Sequence, residues 1–264
     1  MHIAGTGLKK ASLTALAAVA LIAGGQGLTA KEKPRASPPR VTALVQQIIN
    51  AYGGRDVLKK VRSLSARGVL ESPMYGGPAE YSLDLREDRK LRVEIRVGKS
   101  FELRILNGTR GYYRTDDSQI AEVSGTRFLS MVYQFKEITM PQQLMASSFT
   151  ITDGGRETLN NSDVRLLLLT DAEGPPMKVY IDLKSRRIVK DSGIFTVEGA
   201  ETELSSEFHD FRKVDGVLLP FQVVNYAGGE RIGKIHITKY RVNPQLPDSL
   251  FLPDSAVGKE MDSR

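Results

Sequence analysis

The 264-residue sequence contains no cysteine. This excludes disulfides, thiolate metal sites and a lipid-modified N-terminal cysteine; a core of adequate size is the alternative source of stability in an oxidising space. Histidine, the commonest general base, occurs three times, as His2, His209 and His236. His209 and His236 fall on the first and third strands of one meander, roughly 9.6 Å apart at twice the usual strand spacing, too far for a shared metal ion. The carboxylate pairs Asp116-Asp117 and Glu87-Asp88 lie in turns, where they cap backbone donors. Gly76-Gly77 and Gly154-Gly155 lack the lysine and the strand–helix setting of a phosphate-binding loop. No catalytic residue, metal site or cofactor is therefore assigned, and the chain is expected to be non-enzymatic. The formal net charge is +6, falling to +4 once Lys9 and Lys10 of the leader are set aside. Acids are interspersed with bases throughout, without the basic, aromatic-lined stripe of a nucleic-acid-binding surface. No apolar run reaches the roughly 20 residues needed to span a bilayer.

The N-terminus has the pattern of a secretory signal: Lys9-Lys10, an apolar run over 13–23, and Leu28-Thr29-Ala30 as a cleavage site. The expected division is a signal peptide over 1–30, a Pro-rich disordered linker over 31–40, one folded domain over 41–253 and a disordered tail over 254–264.

The folded part is organised around residues 203–242. Asp215-Gly216 and Gly228-Gly229 separate three apolar-rich runs, the strongest local signal for a three-stranded antiparallel meander. A tight turn at Gly228-Gly229 would place Phe221 opposite His236. A shift of one residue, by a bulge or odd loop, would place it opposite Ile235 and match the apolar faces.

Period-two alternation recurs along the chain: Tyr81, Leu83 and Leu85; Leu91, Val93, Ile95 and Val97; Phe101, Leu103 and Ile105; Met177, Val179 and Ile181. Each such strand has one dry and one wet face. Residues 42–52 read as an amphipathic helix ended by Gly53-Gly54. Phe128, Met131, Val132 and Phe135 mark a second helix at i, i+3, i+4 and i+7, with a short helix carrying Leu144 and Met145 after Pro141. The fold class is thus mainly β (α+β): about ten antiparallel strands in an incomplete half-barrel, with a few helices covering a concave apolar face. So few helices leave part of that face free for a guest. The expected ligand-facing residues are Leu83, Leu85, Leu91, Val93, Ile95, Phe101, Leu103, Ile105, Val179 and Ile181. Phe128, Met131, Val132, Phe135, Leu144 and Met145 form a candidate lid, its methionines suited to varied apolar ligands.

Several stretches carry a family resemblance: Tyr52-Gly53-Gly54 with Leu58 and Val61-Arg62-Ser63-Leu64, the hairpin from Asp210 to Phe221, and the ending Asn243, Leu246, Leu250-Phe251 and Pro253. Together they resemble the LolA-like outer-membrane lipoprotein-sorting family over most of 41–253. The resemblance implies a half-barrel whose cavity accepts acyl chains, a periplasmic location, and lipids or lipoproteins as cargo. It also implies an envelope membrane exporter or acceptor protein as partner. The best-known carriers have an Arg-Pro in an early strand; Gly68 to Tyr75 has none, so no lid-latch residue is assigned. The alternative expectation is an envelope protein-interaction module with a self-filled core and no transported ligand.

Overall fold

The structure is a computed structural model that describes residues 39–116, 118–197 and 199–253. The expected signal peptide and C-terminal tail lie outside the described residues, as does most of the expected linker, of which Pro39 and Arg40 already belong to the first helix.

Two short helices open the chain, α1 (Pro39–Ala51) and α2 (Arg55–Leu58). Six strands follow: β1 (Ser63–Glu71), β2 (Ala79–Arg86), β3 (Lys90–Val97), β4 (Ser100–Asn107), β5 (Arg110–Thr115) and β6 (Ala121–Val123). Helices α3 (Gly125–Ile138) and α4 (Met140–Met145) interrupt the sheet. Seven more strands complete it: β7 (Thr150–Leu159), β8 (Ser162–Thr170), β9 (Met177–Asp182), β10 (Ile188–Val197), β11 (Ala200–Val214), β12 (Val217–Ala227) and β13 (Glu230–Val242). A 3-10 turn, Asp248–Phe251, ends the described chain.

All thirteen strands form one antiparallel sheet, in the order β6-β5-β4-β3-β2-β1-β13-β12-β11-β10-β9-β8-β7. The two halves of the meander join where β1 pairs with β13. The two edges, β6 and β7, are not hydrogen-bonded to each other, so the half-barrel stays open. Helices α3 and α4 connect those edges in sequence, and α3 packs against β3, β4, β5 and β10. No described helix is long and apolar enough to cross a membrane.

Thirteen strands replace the ten expected, and the glycines show why the count is hard to read. Residues 149–152 and 156–159 are expected as two strands parted by Gly154-Gly155. They form a single strand, β7, with a bulge between Asp153 and Gly155. Gly155 takes φ +102° there, which only glycine adopts without strain. The β12–β13 hairpin does contain a bulge, but it shifts the register the other way. The turn is tight, with Ala227 opposite Glu230, and the irregularity beyond Asn225 brings Val223, not Phe221, opposite Ile235. The extra residue lies on β13, so both strands still keep their apolar sets on one side.

The main core lies between the concave face and the helices. It unites Val41, Ile48 and Ile49 of α1 with Leu83, Leu91 and Val179 of the sheet and Val132 and Phe135 of α3. A second, smaller core of Leu103, Ile105, Tyr112 and Phe251 lies apart from it. On β4 the register places Leu106 opposite Leu91, Arg104 opposite Val93 and Glu102 opposite Ile95. Leu91, Val93 and Ile95 face the concave core, so Glu102 and Arg104 point inward. Phe101, Leu103 and Ile105 point outward, under the cover of the 3-10 turn.

Candidate functional site

Between the concave face and helices α3 and α4 lies a partly open cavity of about 280 Å³. Its sheet wall is apolar, built from Leu64, Ala66, Leu83, Leu85, Val223 and Ile235. These residues come from β1, β2, β12 and β13, the strands that join the two halves of the meander. Met131 and Ile138 of α3 and Pro141 of α4 contribute the opposite wall. Tyr52 closes one side: its hydroxyl accepts the backbone N–H of Ile188 at 3.1 Å, and burial raises the phenol pKa.

The helix wall is not uniformly apolar. Glu137 of α3 lines the cavity and is half-buried. Its Oε2 lies 3.1 Å from the Ser206 hydroxyl, which also lies 3.1 Å from Asn225 Oδ1. A hydroxyl has one hydrogen to give. The chain closes without an oxygen–oxygen clash when protonated Glu137 donates to Ser206 and Ser206 donates to Asn225. Loss of solvation by burial pushes Glu137 up from 4.5 to about 7, which favours that protonated form.

Next to Ser206 in the ladder stands Asp191, only 1% exposed. The Tyr133 hydroxyl of α3 donates to its Oδ1 at 3.3 Å. Burial, and then the charge of Glu137, push the Asp191 carboxyl well above its ordinary range. Tyr133 reaches this far because β10 has a glycine beneath it. A Cβ on Gly193 would meet the Tyr133 ring at 2.7 Å. Two carboxyl groups thus meet where α3 crosses the sheet, held by a tyrosine, a serine and an asparagine.

Across the cavity, Arg104 donates to Glu102 at 2.6 Å, and Tyr75 donates to the other Glu102 oxygen at 3.2 Å. Burial alone would raise Glu102, but the Arg104 guanidinium overrides it and the carboxyl stays below its ordinary value. Glu102 in turn holds Arg104 more firmly protonated. This pair is internally neutral; the Glu137–Asp191 pair has no such counter-cation.

Of the ligand-facing residues expected from alternation, Leu83 and Leu85 line the cavity. Leu91, Val93, Ile95, Val179 and Ile181 lie on the same concave face but are packed into the core. Phe101, Leu103 and Ile105 face the opposite side. Of the candidate lid residues, Met131 lines the cavity, while Phe128, Val132, Phe135, Leu144 and Met145 pack into the main core. His209 and His236 flank Gln222 in the ladder, each half in solvent, with Glu207 at 3.6 Å and Glu71 at 3.9 Å respectively. Among the described residues no group of metal-ligating side chains is assembled.

Glu137, Asp191, Ser206 and Arg104 escape a sequence reading for one reason. Each stands among alternating or helical positions that read as the wet face. Glu137 and Asp191 lie far apart in the chain, and only the return of β10 beneath α3 brings them together.

Solved structures share this architecture. A LolA superfamily protein from Nitrosomonas europaea superposes with a TM-score of 0.53 over 80% of this chain and 96% of its own, at 12% identity. A DUF1329 family protein from Desulfovibrio piger gives 0.54 over 82% and 98%, also at 12% identity. The chain has the LolA-like fold. A candidate outer membrane lipoprotein-sorting protein domain from Vibrio parahaemolyticus shares that fold at a TM-score of 0.52, over 80% of this chain and 95% of its own, with 12% identity. No family model and no curated protein matches the sequence. The LolA-like fold is therefore a likeness of architecture, carried by strand order and helix placement rather than by shared residues.

Proposed function

We propose that the protein is a periplasmic, non-enzymatic carrier or binding protein that shields acyl chains of a lipid or lipoprotein in its half-barrel cavity. Sorting of lipids or lipoproteins to the outer membrane is the process it serves, with an envelope exporter or acceptor as partner. The observation that carries this reading is the apolar cavity of about 280 Å³ left between the concave sheet and α3 and α4. Leu83, Leu85, Ala66, Val223 and Ile235 contact the guest there. Space of a few hundred cubic ångströms with mostly apolar walls is the usual form of a small-molecule site. Each buried methylene contributes about 0.8 kcal/mol, so a sixteen-carbon chain contributes on the order of 12 kcal/mol before association costs. Few polar sites reach that figure.

Helices α3 and α4 serve as the lid. They connect the two open edges of the sheet, so their movement widens the cavity without breaking a strand pair. Mass spectrometry of organic extracts from the purified protein tests the reading, together with uptake of a fluorescent fatty acid. Co-purified lipid or saturable uptake is expected. A protein that extracts clean and takes up no fatty acid overturns the carrier reading and leaves the interaction module.

A further inference from the structure

A second pocket, of about 370 Å³, lies between the start of α1 and the outer strands β7 and β8. Four arginines surround it: Arg40 of α1, Arg156 of β7, Arg165 of β8 and Arg186 in the turn between β9 and β10. Asp153 is the one carboxylate in its wall. That carboxylate is already used. Arg165 Nε donates to Asp153 Oδ1 at 2.6 Å and Nη2 donates to Oδ2, a bidentate pair. The same guanidinium holds the Asp153 carboxyl below its ordinary value.

The other three guanidinium groups have neither a hydrogen bond nor an ion pair among the described residues. Arg156 also stands directly opposite Arg165 in the ladder. Like charges at directly opposed positions destabilise a sheet, and only one of these two is neutralised by Asp153. Arg186 is held in place by its turn. The backbone N–H and hydroxyl of Ser185 both donate to Asp182 Oδ1 at 2.6 Å, and Arg186 itself takes φ +62°. Three uncompensated positive charges thus converge on one pocket, beside the positive end of a thirteen-residue helix. Its floor, Leu44 and Leu167, is apolar.

We infer that this pocket binds a phosphate group. Several guanidinium forks around one site match a tetrahedral, multiply charged oxyanion better than a single carboxylate. The phosphate is either free or the head of a lipid whose apolar body lies on the Leu44–Leu167 floor. This inference does not depend on the acyl-chain reading, since the two cavities share no lining residue.

Calorimetric titration of the full chain with inorganic pyrophosphate tests the free form. Co-sedimentation with phosphatidylcholine vesicles, with and without phosphatidic acid, tests the lipid form. The double variant Arg156→Gln/Arg186→Gln removes two charges without breaking a hydrogen bond. Lys213→Gln/Lys239→Gln removes two exposed charges elsewhere. Binding of pyrophosphate, of phosphatidic acid vesicles, or of both is expected, weakened about tenfold or more by the arginine pair and less than about twofold by the lysine pair. Binding to the vesicles alone assigns a lipid phosphate, and binding to pyrophosphate alone a soluble one. Absence of both, or equal weakening by the two double variants, overturns the inference.

Discussion

Raising the pH should loosen the grip of α3 on the sheet, because the acid pair beneath it is protonated only while it stays buried. Glu137 moves from an ordinary 4.5 to about 7 on folding, through loss of solvation. Below pH 4.5 the carboxyl is protonated in both folded and unfolded chains, and its contribution to stability is fully present. Between 4.5 and about 7 the unfolded chain releases the proton while the folded chain keeps it, so stability falls as pH rises. Above about 7 the folded group ionises too and the loss levels off. At 1.36 kcal/mol per pH unit the fall amounts to about 3 kcal/mol. Asp191, raised by burial and by Glu137, acts in the same direction. Asp88, Asp153 and Asp248 act oppositely, since their pKa values are lowered by basic partners. Their contributions are present above the ordinary carboxylate range and disappear only on acidification below it, so the two effects occupy different windows.

Urea unfolding of the wild type and of Glu137→Gln across pH 4 to 8 measures this. The wild type should lose stability between about pH 4.5 and 7. The variant should follow a flatter curve and exceed the wild type by up to about 3 kcal/mol at pH 8. Amide exchange along α3 should quicken above about pH 7 in the wild type alone. A variant whose curve runs parallel to the wild type over the whole range would refute the argument, because the titrating group would then lie elsewhere.

Gly193→Ala should destabilise the fold by about 1–3 kcal/mol, since its methyl group meets the Tyr133 ring; thermal unfolding measures it. Ala66→Leu extends a side chain into the cavity from β1. Fatty-acid uptake should fall while stability is held or gained, and unchanged uptake would move the guest to another site. Phe251→Ala empties the small outer core, where Phe251 is fully buried. It should cost about 3–5 kcal/mol in urea unfolding with uptake per folded molecule preserved. Asn243 ties β13 to the start of β1, accepting the Arg62 N–H at 2.7 Å and donating to the Lys60 carbonyl at 2.9 Å. Asn243→Ala should therefore lower stability by about 1–3 kcal/mol, read as a shifted unfolding midpoint.

The sequence by itself determined the elements. Alternation at Leu91, Val93 and Ile95 requires a strand with one dry face, Asp215-Gly216 and Gly228-Gly229 require tight turns, and Phe128 to Phe135 repeats at helical spacing. These signals are local, reaching no further than a few residues. Which side of the sheet a dry face turns to is not local. Phe101, Leu103 and Ile105 alternate as cleanly as their neighbours, yet they face outward, because Phe251 returns from the end of the chain to cover them. The same inversion carries Glu102 and Arg104 into the interior, where they answer each other's charge. Tertiary structure alone decided that Glu137 and Asp191 would share one dry spot, and that Arg40, Arg156 and Arg186 would converge around another. A strand's period states that its two faces differ; only the segments that come to lie against each face, many residues away in the chain, decide which one becomes a site.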